Sequence, residues 1–203
     1  MVPIGKSIFE RRYNQSVKEL LGLTAALMAI SQAIPYFWDI FRYRTKPHLY
    51  TYLIWSIVTA LAFLGQFAAG GGPGSWTTGV MAIITIGVLL LCFKYGTGDI
   101  TKFDAICLIL AVGAIIPWWL TNDPMLSVVL ATGIDVLAFF PTIRKTYFDP
   151  TSETLVSYIS NLIRHPLSIA ALSVYSVTTV IYPTALFVMN VILVYVIVSQ
   201  RRK

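Results

Sequence analysis

Long apolar runs, cut by short breaks rich in charge, glycine and proline, limit what this chain can fold into. A bilayer core roughly 30 Å thick needs about 20 apolar residues in a helix. Inside it every backbone N–H and C=O must be satisfied within the protein, which favours helices. Runs of that length recur from residue 18 to residue 199. The chain is 57% hydrophobic and only 12% charged, with mean hydropathy +0.74. A soluble domain carries about twice that charge. The sequence therefore predicts an all-α integral membrane protein.

Reading the runs between their breaks predicts seven transmembrane helices: 18–40, 49–69, 76–94, 103–121, 124–142, 154–176 and 179–199. Between the last two, a short turn near Val180 is expected, on the strength of Pro183 and the length of the run. Lys and Arg test the count. Breaks on one side receive "RYRTK", Lys94, Lys102, Arg144, Lys145 and the terminal "RRK", ten basic residues in all. The other side receives only Lys6, Arg11, Arg12 and Lys18 of the N-terminal tail. Positive residues favour the cytoplasmic face, so the C-terminus is expected inside and the N-terminus outside. The basic tail, which runs against that rule, is read as an amphipathic segment along the membrane surface.

The net charge of +6 sits at the ends of apolar runs. Lipid headgroups are therefore the expected partner, and nucleic acid is not. Cys92 and Cys107 are too few for a disulfide framework or a metal set, and no cleavable signal peptide is apparent.

One segment is written twice. "IPYFWDIFRYRTKPHLYTYLIW" at 34–55 and "FFPTIRKTYFDPTSETLVSYIS" at 139–160 each run from an intrahelical proline through a basic break into a new apolar run. At an offset of 106 residues Pro35 meets Pro141, Thr45 meets Thr151, Leu49 meets Leu155 and Tyr52 meets Tyr158. Ile57 then meets Ile163 and Leu61 meets Leu167, with no gap. The offset carries spans 1–3 onto spans 5–7 and leaves span 4 as a connector. Because that fourth helix restores direction, the two halves form a parallel repeat about an axis along the membrane normal. The expected organisation is a tail at 1–17, a first three-helix bundle at 18–95, a linker helix at 96–122 and a second bundle with a basic tail at 123–203.

This 3+1+3 arrangement, with a proline late in spans 1 and 5, resembles the SWEET and PQ-loop transporter superfamily, including the vitamin-transporting Pnu proteins. "IPY" and "FPT" stand where a PQ-loop protein has Pro-Gln, so the resemblance points to a bacterial branch of its own. It implies alternating access, with Pro35, Pro141 and Pro166 as hinges; the other reading of these prolines is a static kink. It also implies tryptophan and asparagine near the pocket, which selects Trp55 and Asn190.

The residues themselves point to further candidates. Charge at membrane depth defaults to function. Asp135, late in span 5, and Arg164, within span 6, are expected at similar depth, paired or joined by a polar network. That pair is either a coupling element or a structural stitch. His165 beside them reads first as a hydrogen-bonded structural group. Uncharged polar and aromatic groups suit a neutral solute, which nominates Trp55 with its repeat counterpart Asn161, then Asn190, Gln32 and Gln66. Trp38, Trp76, Trp118 and Trp119 fit the interfacial belt; for Trp55, belt and pocket are both open.

Other motifs lead nowhere. "GTGD" at 96–99 lacks the second aspartate that intramembrane proteolysis needs, "GGGPG" at 70–74 reads as a flexible turn, and the last span has no lysine for a retinal Schiff base. No HExxH, CxxC or GxSxG occurs. An enzyme, a cofactor and a metal are therefore not expected. The function expected is transport of a small neutral or zwitterionic solute (a sugar, vitamin or amino-acid derivative), in a bacterial cytoplasmic membrane. The alternative is a non-transporting scaffold or lipid-handling protein on the same bundles. A sealed, dry interface between the halves would favour the scaffold and a polar midplane cavity would favour transport. The expected partners are the solute and membrane lipid, with a homo-oligomer left open.

Overall fold

The structure, a computed structural model, describes residues 8–43, 47–96, 102–148, 150 and 155–202. Among them the chain forms α1 (Ile8–Phe41), α2 (Leu49–Ala68), a 3-10 turn (Gly72–Ser75), α3 (Trp76–Tyr95), α4 (Lys102–Gly113), α5 (Ile115–Thr121), α6 (Pro124–Phe148), α7 (Leu155–Ala170) and α8 (Val177–Arg201). The described chain is all-helical. Four segments are long and apolar enough to cross a membrane: Arg12–Phe41, Leu49–Ala68, Gly72–Tyr95 and Val177–Arg201. This is an integral membrane protein.

The surface agrees. Ile83, Phe93, Ile109, Trp119 and Tyr195 are each more than two-thirds exposed, while Gln66, Asn190, Asp135 and Arg164 are buried. Apolar outside and polar inside suits lipid, where tails cover the surface and polar groups need internal partners. On α1 the exposed stripe is Leu20, Leu23, Leu27, Ile30, Ile34 and Trp38. The opposite face is made of Ala25, Ala26 and Ala29, buried, with Gly22 against the backbone of Pro73. Small residues let helix backbones approach closely, which is how membrane helices associate.

Three boundaries differ from expectation. First, α1 begins at Ile8, so the described part of the N-terminal tail continues the helix. At 1.5 Å per residue its 34 residues reach about 50 Å, well past the hydrocarbon core. Second, the expected fourth span is broken at Ala114 into α4 and α5. Pro117 has no N–H for the carbonyl of Gly113, and its ring crowds that carbonyl. Third, the last break falls at residues 171–176, not near Val180. Ser176 caps α8 there: its hydroxyl accepts from Thr179 N while Thr179 Oγ1 accepts from Ser176 N at 2.9 Å. Pro183 consequently lies inside α8.

The helices pack in a definite pattern. α3 lies against both α1 and α2; α8 lies against both α6 and α7. α2 crosses α6, α1 crosses α7, and α4 sits on α2 and α6. Ile54, Val58 and Leu61 of α2 meet Ala131 and Ile134 of α6, with Ala111 and Ala114 behind them. A second cluster joins Ile40, Val88 and Cys92 to Tyr36, Phe37 and Tyr52.

The glycine-rich turn is packed, not loose. Gly70 and Gly72 have φ of 78° and 58°, the left-handed region glycine adopts freely. Ser173 N donates to Gly71 O at 3.0 Å, and Ser168 Oγ donates to Gly74 O at 2.6 Å. Lys18 Nζ donates to Leu172 O at 2.6 Å on the same side. The turn thus binds α1, α7 and the 171–176 connection together. Residues 44–46, 97–101 and 151–154 lie outside the described residues, with Thr45, Thr151 and most of "GTGD" among them; Arg144 and Lys145, expected in the break after span 5, fall within the helical span of α6, which continues to Phe148.

Candidate functional site

Five helices leave a cavity of about 210 Å³ between them. Each offers it one face. Trp55 and Thr59 come from α2, at i and i+4; Thr78, Met81 and Thr85 of α3 follow i, i+3 and i+7, with Thr77 beside them. Asp135 and Phe139 come one turn apart from α6. On α7 the positions are Asn161, Arg164, His165 and Ser168, and on α8 Tyr182, Pro183, Leu186 and Asn190. These spacings are those of one helical face. Ser168, Thr77 and Thr78 mark the end capped by the glycine turn. Trp55, Asn161 and Phe139 mark the other end.

Threonine is economical in such a place. Thr59 Oγ1 donates to Trp55 O at 2.6 Å and lies 3.1 Å from Thr85 Oγ1, so two hydroxyls bridge α2 and α3. Asn161 Nδ2 donates to Asn190 Oδ1 at 2.9 Å, and Asn190 Nδ2 donates to Leu186 O at 2.7 Å. Asn161 Oδ1 is left without a partner.

The two charges are the centre of the site. Asp135 is 7% exposed and Arg164 5% exposed. Of the two arrangements expected of them, a direct pair or a polar network, the direct ion pair is not formed among the described residues. Tyr182 takes the carboxylate instead, its hydroxyl donating to Asp135 Oδ2 at 2.8 Å. Arg164 Nε and Nη1 have no hydrogen-bond partner. The reason is topological. α6 and α7 are consecutive in the chain and were expected as neighbours, but they pack little against each other; α8 packs on both, and its tyrosine reaches the carboxylate of α6. Each buried donor left unmet costs about 1–3 kcal/mol, so an idle guanidinium here is an unusual feature. His165 is buried beside it and also lines the cavity.

The structure sorts the expected site residues. Trp55, Asn161, Asn190, Asp135 and Arg164 share the cavity. Gln32 and Gln66 do not line it. Gln66 is fully buried, and its Nε2 donates to Thr179 O at 3.2 Å. That carbonyl is the one Pro183, four residues on, cannot bond; Gln66 takes up what the proline frees. Gln32 stands on α1 with Nε2 unpartnered, and α1 contributes nothing to the cavity.

Of the prolines, Pro35 lies inside α1 and Pro166 inside α7. Pro141 lies within the helical span of α6, its side chain outside the described residues. Among the described residues Pro183, read from sequence as a break, is the proline that lines the cavity.

The threonines, Ser168 and Tyr182 went unread in the sequence. Hydroxyl side chains in apolar helices bond their own turn and are common there, so composition alone does not single them out. The spacing of Thr78 and Thr85, and of Tyr182 with Asn190, was the available signal.

Among the described residues no cluster of three or more His, Cys, Asp or Glu could hold a metal. No protein-family model, curated protein or solved structure matches the chain.

Proposed function

We propose that the chain is a transporter or facilitator of a small neutral or zwitterionic solute, working by alternating access between two three-helix bundles. One observation carries this reading: a cavity of about 210 Å³, lined by thirteen polar and aromatic side chains, enclosed by helices from both proposed halves. Its volume is below the usual drug-sized range of about 300–1,000 Å³, which suits a solute of modest size. A scaffold gains nothing from burying a carboxylate, a guanidinium and two asparagines around a hollow, and each is expensive in lipid.

On this reading α1–α3 and α6–α8 are the bundles and α4 with α5 is the linker, a 3+1+3 order like that of the SWEET and PQ-loop superfamily. The packing pattern supports it. α3 between α1 and α2 repeats as α8 between α6 and α7, and the α2–α6 contact repeats as α7–α1. Three cavity-lining pairs also stand at the 106-residue offset: Trp55 with Asn161, Thr59 with His165, and Thr77 with Pro183. The basic breaks and the positive-inside rule favour an outside N-terminus, and the resemblance to the SWEET and PQ-loop superfamily suggests a bacterial cytoplasmic membrane as the setting.

Purified chain in proteoliposomes, offered a panel of sugars, vitamins and amino acids with and without a pH gradient, tests the proposal. Saturable uptake or counterflow of at least one solute is expected. Leakage equal to protein-free vesicles for the whole panel would refute it.

A further inference from the structure

We infer that Arg164 is the seat of a solute carboxylate and that Asp135, in the same cavity, receives the solute's ammonium group, so the solute is a small zwitterion of the amino-acid type. The inference rests on the transport reading and narrows it. Arg164 is 5% exposed, lines the cavity, and leaves Nε and Nη1 unpartnered. No acidic side chain among the described residues meets it as an ion pair. A guanidinium is a planar fork whose donors match the two oxygens of a carboxylate, and such bidentate, charge-assisted pairs are the strong ones. An arginine held at membrane depth with that fork idle is a site waiting for an oxyanion.

Asp135 completes the pattern. It is 7% exposed and holds a single named hydrogen bond, from Tyr182. A carboxylate has lone pairs for more than one donor. The cavity therefore presents one buried positive group and one buried negative group that do not neutralise each other. Both are already fixed: Asp135 by the α8 tyrosine, Arg164 by burial on α7. A neutral sugar would leave both charges uncompensated. A simple anion would leave Asp135 so. A zwitterion satisfies the two together and adds no net charge to the membrane interior. Thr59, Thr85 and the free Asn161 Oδ1 can serve a polar side chain, and Trp55 with Phe139 an apolar one. At about 210 Å³ the cavity has room for a compact solute.

The test uses the full chain in detergent and in proteoliposomes. The probes are L-alanine, L-serine and L-valine, alaninol (no carboxylate), propionate (no ammonium) and erythritol (neutral). Binding is read by calorimetry and by the change in tryptophan fluorescence that Trp55→Phe removes, transport by counterflow. At least one amino acid is expected to bind, with alaninol and propionate each about ten-fold or more weaker. Arg164→Lys, which keeps the charge and loses the fork, is expected to weaken the amino acid more than alaninol. Should arginine variants fail to fold, the ligand series on the unaltered chain decides the matter. Alaninol or erythritol binding as tightly as every amino acid overturns the inference, as does no binding of any amino acid. Erythritol counterflow without amino-acid binding would sink the zwitterion and keep the transporter; amino-acid binding without counterflow of any probe would do the reverse.

Discussion

Tyr182 of α8 donates its hydroxyl to Asp135 Oδ2 of α6 at 2.8 Å, inside a cavity that Arg164 of α7 also lines. A phenol therefore holds the carboxylate where a direct pair with the arginine was one of the two arrangements expected. Tyr182→Phe removes that donor and leaves a buried carboxylate unsupported. Hydrogen bonds to charged groups contribute about 1.5–3 kcal/mol, and a loss of that size is expected in reversible unfolding by SDS in mixed micelles. An unchanged midpoint would mean the bond does not hold the two helices. Asp135→Asn keeps an acceptor for Tyr182 and removes the charge. Because Asp135 is the seat proposed for the ammonium group, exchange is expected to slow along with gradient-driven accumulation; accumulation and exchange at the unaltered level would dismiss a role for this residue in the site.

The Asn161–Asn190 bond joins α7 to α8 at 2.9 Å. A double-mutant cycle with Asn161→Ala and Asn190→Ala isolates the pair. Interhelical hydrogen bonds in membrane proteins average about 0.6 kcal/mol and reach about 1.7, and the coupling energy is expected within that span. A coupling of zero would show that the two amides act independently.

Gly74 and Gly133 make opposite predictions for the same substitution. A Cβ at Gly74 would stand 2.6 Å from Ser168 O and from Leu172 Cδ2, whereas one at Gly133 meets nothing within 4 Å. Gly74→Ala is expected to destabilise by about 1–3 kcal/mol through overpacking. Gly133→Ala removes backbone freedom inside α6 and is expected to stabilise by about 0.5–1 kcal/mol. Thermal unfolding in one detergent compares them; equal effects would contradict the packing described for the turn.

Gln66 and Pro183 should not be additive. Gln66 Nε2 bonds the Thr179 carbonyl that Pro183 frees. Pro183→Ala restores a backbone donor to that carbonyl, so Gln66→Leu is expected to cost less in the Pro183→Ala background than alone. The expected difference is about 0.5–1.5 kcal/mol, the net worth of one hydrogen bond. Additive effects would remove Gln66 from the role of carbonyl partner.

Much of the site was legible because the bilayer simplifies the alphabet. In apolar helices an aspartate, an arginine or an asparagine stands out, and Asp135, Arg164, Asn161 and Asn190 do share one cavity. Trp55 came with them through its offset to Asn161. Gln32 and Gln66 stood out equally and lie elsewhere, since polarity marks a residue as needing a partner without naming the partner. The threonines were missed for the converse reason: a hydroxyl bonded to its own helical turn looks ordinary in sequence.

The sequence by itself determined that the chain is helical and membrane-embedded, and it located most helix limits within a few residues. Run length against bilayer thickness and the demand to satisfy every backbone group leave few alternatives. Only the tertiary structure decided which helices are neighbours. Chain order put α6 beside α7 and so Asp135 beside Arg164. The packing of α8 against both inserts Tyr182 and leaves the guanidinium free. Adjacency in a bundle is set by small-residue seams and shape at the contacts, such as Gly22 on Pro73 and Gly74 on Leu172, and those surfaces exist only once the helices have met.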